Sequence, residues 1–188
     1  IDIVAAGMDA SPERAEQVDF SDSYYEASLI VAVAADNDTI TGVDSLTPDM
    51  KVAAQTGTTG ARLVQELKEQ GKIGEAVILN GLDTAMLQLI NGDVSAVIND
   101  KPVNEAYMKK QPDKVKMVGE ALNAENYGFA VAKGNDELLE KIGRDKSVLT
   151  EAQFNQEKAF GKGGKYSLTL GSKNYYEYLA KVYDMYMG

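Results

Sequence analysis

Three short stretches hold residue types suited to gripping a small charged molecule. Thr56-Gly57-Thr58-Thr59-Gly60 joins an apolar run, residues 51–55, to a segment of helical periodicity. Amides that open a helix lack acceptors within it and attract anions. The glycines permit close backbone approach and the threonines add hydroxyls. No Gly-Lys-Ser/Thr follows, so this is no P-loop, and the glycine spacing does not fit a dinucleotide fingerprint. A carboxylate suits the turn better than a nucleotide, although a capped strand–helix turn with no ligand needs the same residues.

Arg14 follows the end of a first apolar run, and a guanidinium fork binds a carboxylate through two hydrogen bonds. Taken alone, it reads first as a surface arginine. Asp100 stands at the mouth of a third apolar run, where a carboxylate can hold an ammonium or cap the helix that begins near Pro102. Two anion-seeking features and one cation-seeking feature together complement a zwitterion, an α-amino acid.

The elements that must position these residues follow from periodicity. The pattern predicts buried strands over residues 1–7, 28–34, 51–55, 76–79, 94–98, 115–118 and 127–132. It predicts a helix started by Ser11 and Pro12, and helices over 61–70, 82–90, 102–110 and 136–142. Residues 18–22 read as a polar turn, 36–48 as a loop and 99–102 as a turn. Strands alternating with helices imply βαβ units and a mostly parallel sheet, with ligands at the carboxyl ends of its strands. The tail has a Gly-rich stretch, Gly161-Lys162-Gly163-Gly164-Lys165, and a helical pattern over 174–187 with Tyr175, Leu179, Val182 and Tyr186 on one face.

Composition narrows the chemistry. The 188 residues carry 19 basic and 29 acidic side chains, a net charge of −10. That balance disfavours nucleic acid and anionic membrane surfaces. Residues 143–188 hold 7 basic and 5 acidic side chains, leaving 12 and 24 in the first 142. The chain has no Cys and no His. Thiolate chemistry, sulfur-ligated zinc and Ser-His-Asp catalysis are excluded. Asp9 and Glu13 are the only carboxylates near these motifs that could act as acid or base. A binding role without cofactor or metal is expected, not an enzyme. The chain opens in mid-pattern at Ile1, so a segment is expected upstream.

The segment AAGMDASPERAEQVDFSDSYYEASLIVAV strongly resembles the extracytoplasmic solute-binding proteins of ABC transporters, in the group that binds glutamine, glutamate or arginine. Their pattern is AGMTxTxER…xDFSxPYY. KVAAQTGTTG, GDVSAVINDKP and NYGFAVAKGNDELLEKI fit in the same order, so the resemblance covers residues 1–142. The closing KVYDMYMG is similar to the family's KIYxKWFG, while 143–177 do not match.

The resemblance implies an α/β fold of the periplasmic-binding-protein type II. In it two βαβ lobes are joined by two hinge strands, here about 28–34 and 127–132, and close over one amino acid. Residues 1–35 and 123–188 would form an incomplete first lobe with the C-terminal helices, and 36–122 the second. Arg14 would clamp the ligand carboxylate with the Thr59 amide and the Thr58 region. Asp100 would hold the ammonium with the Gly7 carbonyl. Gln55 would face the ligand side chain. Asp9 departs from the pattern's Thr and would pair with Arg14 or favour a ligand with extra positive charge. Tyr24 and Tyr25 would pack between the lobes. The implied partners are a free amino acid and an ABC transporter permease. The implied location is extracytoplasmic, periplasmic or lipid-anchored at the outer face of the cell membrane, with a signal peptide removed. The alternative is an extracellular amino-acid-sensing domain of a membrane receptor or kinase. Exposed edges of an incomplete lobe would invite dimerisation or a domain swap.

Overall fold

The computed structural model describes residues 1–142; the expectations for 143–188, the tail helix included, lie outside the described residues. The chain separates into two compact units. Among the described residues, one is Ile1–Glu26 with residues 126–142, the other Ala27–Glu125.

The second unit is built on a five-stranded sheet in the order β6-β5-β7-β4-β8. These strands are β4 (Leu29–Ala34), β5 (Lys51–Gln55), β6 (Glu75–Leu79), β7 (Ala96–Asp100) and β8 (Val115–Val118). Its helices are α2 (Thr59–Glu69), α3 (Leu82–Asn91) and α4 (Lys101–Lys110). Strand alternation separates two cores. Val31, Val33, Val52, Ala54, Ala96 and Ile98 face α2, which presents Ala61, Val64 and Leu67. Ala32, Ala53 and Val97 face the other way, onto Leu82, Ala85, Met86 and Leu89 of α3. Each fully buried Val, Leu or Met side chain adds about 1.5–3 kcal/mol of hydrophobic stabilisation before entropy is counted.

The sheet is mixed, which corrects the mostly parallel expectation. β6, β5 and β7 are parallel, but β4 runs against both β7 and β8. Antiparallel neighbours need no crossover helix, so the βαβ count does not predict them. The division of the chain also differs from expectation. β4 is buried along all but its last residue and is flanked on both edges. It therefore belongs to this unit's core, and the chain divides at 26/27 and 125/126 rather than at 35/36 and 122/123.

The first unit is centred on β9 (Glu125–Ala132). β1 (Ile3–Asp9), β2 (Val18–Phe20) and β3 (Tyr25–Ala27) all pair with it. Residues 18–20, expected in a turn, form a strand because Phe20 pairs with Ala130 and Val18 with Ala132. Between them Asp19 accepts the Gly134 amide at 2.7 Å and holds Lys133 at 2.8 Å. The opening strand is not buried as expected: Ile1 and Ile3 are exposed. Among the described residues β1 pairs with β9 alone, so solvent reaches much of its first half. Helix α1 (Pro12–Ala15) starts at Ser11, whose Oγ accepts the Arg14 amide, and α5 (Asp136–Ile142) buries Leu139.

Candidate functional site

Parallel packing of β6, β5 and β7 gives the second unit a carboxyl edge closed by Leu79, Gln55 and Asp100. Helix α2 begins at the same edge, immediately after β5. The α2 start, expected at Ala61, lies at Thr59 because Thr58 is its N-cap. The Thr58 hydroxyl accepts the Ala61 amide at 3.1 Å and donates to the Gln55 carbonyl at 2.7 Å. Thr58 thus shapes the turn with its side chain, and the amides of Thr59 and Gly60 become the groups that open the helix. Gly60 packs against the middle of β7: a Cβ there would lie 2.7 Å from the Ile98 carbonyl oxygen.

Asp100 ends β7 instead of beginning a separate turn, and α4 follows at once. It occupies the N-cap position, yet its carboxylate makes no capping hydrogen bond. The helix-capping reading of this residue is therefore set aside. Its backbone is held against the start of β4 by Leu29, its register partner, and by the following Lys101 amide, which donates to the Ser28 carbonyl at 2.8 Å. Gln55 is half-buried, and its Nε2 lies 3.5 Å from the Asn80 carbonyl, at the limit of a hydrogen bond to the end of β6. The second unit thus brings Gln55, Thr58, Thr59 and Asp100 to one sheet edge.

Gly7, Asp9 and Arg14 belong to the first unit. The β1–β9 register shifts between Val4 and Met8, a bulge that turns the backbone out of the ladder. Gly7 sits in it at φ +61°, and a Cβ would meet the Tyr127 ring at 3.2 Å. The Gly7 amide donates to the Tyr24 hydroxyl at 3.1 Å. Arg14 reaches back along its own short helix, and its Nη1 donates to the Asp9 carbonyl at 3.1 Å. The Asp9 carboxylate accepts the Asn126 amide at 3.0 Å. The Arg14 bond to the Asp9 carbonyl holds the guanidinium at the end of β1.

Sequence reasoning missed how Gly7 is held. Tyr24 is buried and stacks on Phe129 with ring centroids 4.5 Å apart; Tyr25 stacks on Tyr127 at 5.7 Å. These contacts lie inside the first unit. Burial pushes the Tyr24 phenol above its usual range, and the hydrogen bond from Gly7 opposes that shift. The available signal was the aromatic residues at 24, 25, 127 and 129: period 2 puts Tyr127 and Phe129 on one face of β9, and Tyr25 opens β3, which pairs with it.

Among the described residues no group of three or more acidic side chains is arranged to hold a metal ion, and no helix is long and apolar enough to cross a membrane.

Residues 1–153 match the model of the bacterial extracellular solute-binding proteins, family 3. The chain is 32% identical over 147 residues to the putative ABC transporter arginine-binding protein 2 of Escherichia coli, covering 76% of this chain and 58% of that protein. It is 33% identical over 166 residues to the arginine-binding extracellular protein ArtP of Bacillus subtilis, covering 84% and 60%. It thus spans a little under two thirds of these relatives' lengths. Among solved structures, an ancestral arginine-binding protein bound to glutamine superposes with a TM-score of 0.68 at 40% identity, covering 74% of this chain and 61% of that one. The same kind of protein bound to arginine gives 0.71 at 33% identity, covering 100% and 72%. The mixed α/β architecture is that of periplasmic binding proteins of type II. The chain belongs to the bacterial extracellular solute-binding proteins of family 3.

Proposed function

We propose that this protein binds a free polar amino acid outside the cytoplasm, arginine first among the candidates, and delivers it to an ABC transporter permease without chemical change. The observation that carries this reading is the carboxyl edge of the second unit. There a carboxylate, Asp100, closes one strand, and a helix opening with the Thr59 and Gly60 amides follows its parallel neighbour. A negative group and a positively polarised helix end on adjacent strands match the two poles of an α-amino acid.

In this reading the second unit offers Asp100 to an ammonium and the Thr59 amide to a carboxylate. The roles proposed for the first unit are the Gly7 carbonyl as an acceptor for an ammonium and the Arg14 guanidinium as a clamp for a carboxylate. Gln55 borders the ligand side chain, and Thr58 keeps the turn in shape. Arginine leads because the relatives named above are arginine-binding and because the net charge of −10 favours a cationic ligand. Asp9 contributes negative charge near Arg14 while its carboxylate holds the Asn126 amide.

Isothermal titration calorimetry of the chain against the twenty common amino acids tests this. Saturable one-site binding of arginine, tighter than that of acidic and apolar amino acids, supports the reading. A folded chain that binds none of them rejects it.

A further inference from the structure

Two buried amides flank Asp100 in sequence. Asn99, the residue before it, is 4% exposed, and Asn104, in the first turns of α4, is 1% exposed. The Asn99 Nδ2 donates to the Asn104 Oδ1 at 3.2 Å, so the bond closes a loop around the strand–helix junction that carries Asp100. Among the described residues the Nδ2 of Asn104 has no hydrogen-bond partner. An unpaired buried donor opposes folding, whereas an apolar side chain at that position would carry no such penalty. The pair is therefore poorly explained as a device for stability alone. A side-chain bond on one flank and the Lys101–Ser28 backbone bond on the other leave the Asp100 backbone little freedom.

We propose that Asn99 and Asn104 are positioning residues for Asp100, fixing the direction of its carboxylate and so setting the preference for ligands that bear an α-ammonium. This deepens the reading of Asp100 given above and rests on it. The amides do not touch the ligand; they act through the turn. Buried polar groups that fix a geometry at the expense of stability are the behaviour expected of support around a binding group.

The test is calorimetry on the whole chain with arginine and with its des-amino analogue, 5-guanidinopentanoic acid. The variants are Asn99→Val/Asn104→Leu, with both partners made apolar, and Asp100→Asn. Positioning predicts that the double variant melts near the native temperature, loses at least tenfold in arginine affinity and keeps its affinity for the analogue. Equal losses for the two ligands, or no loss for either, overturn the proposal. Asn104→Ser, which falls short of Asn99, carries the same comparison if the double variant does not fold. Asp100→Asn must itself remove the preference for arginine. If it does not, or if the native chain binds no arginine, the reading of Asp100 falls and takes this proposal with it. If it does while the Asn variants keep the preference, only this proposal falls.

Discussion

Gly60 and the carbonyl of Ile98 meet so closely that a Cβ on the glycine would stand 2.7 Å from the oxygen. That contact ties the first turn of α2 to the middle of β7, two residues before Asp100. It is the local reason that a helix opening and a carboxylate share one sheet edge. Because the obstructing atom is backbone, Gly60→Ala must push the helix away. The expected cost is about 1–3 kcal/mol of stability, together with weaker arginine binding. Thermal unfolding and calorimetry on the same sample check both.

Gly7 is constrained in two ways at once. Its φ of +61° is a left-handed conformation, and the Tyr127 ring stands 3.2 Å from where a Cβ would be. Gly7→Ala is expected to destabilise the protein by about 1–2 kcal/mol from backbone strain, plus whatever the ring's displacement adds. A lower denaturation midpoint at unchanged m value is the predicted reading.

Tyr24→Phe removes the acceptor of the Gly7 amide while leaving the aromatic stack. A loss of about 1 kcal/mol is expected for a half-buried hydrogen bond removed. The phenol also makes stability depend on alkali. Its folded pKa lies above the unfolded value of 10.0, so the unfolded chain releases that proton first as pH rises. The contribution is fully present below pH 10.0 and is lost as pH climbs through the folded value. Melts between neutral pH and pH 11 should therefore fall less steeply in Tyr24→Phe than in the native protein.

Arg14, whose Nη1 donates to the Asp9 carbonyl, is proposed to meet the ligand carboxylate. Arg14→Ala should weaken arginine binding by about 2–5 kcal/mol, roughly thirty- to several-thousand-fold. Arg14→Lys should recover only part of it, because an ammonium lacks the planar fork. Unchanged affinity in Arg14→Ala would remove this residue from the site.

Much of the second unit was legible because its strands are short apolar runs bounded by turn residues. β5 and β8 fall where the pattern put them, and α3 and α4 within a residue of it. The α2 start was misjudged by two residues, since Thr58 caps the helix with a side chain that periodicity does not weigh. β7 was placed too early: Asn99 and Asp100 look like turn formers, but pairing with Ile30 and Leu29 holds them in the strand. The antiparallel course of β4 was illegible, because strand direction depends on partners remote in sequence. In the first unit the short β2 was hidden by its central Asp19, whose carboxylate is satisfied by Lys133 and Gly134. The zwitterion reading came from residue types at strand ends. The supports of that chemistry did not, because Tyr24, Asn99 and Asn104 act through contacts that no local pattern encodes.

The central claim is that both poles of an amino acid are recognised. Titrating the native chain with arginine, with agmatine, which lacks the carboxylate, and with 5-guanidinopentanoic acid, which lacks the ammonium, tests it most directly. Each analogue should bind roughly thirty- to several-thousand-fold more weakly than arginine, the loss of one buried charge contact of about 2–5 kcal/mol. An analogue that binds as tightly as arginine would contradict the account.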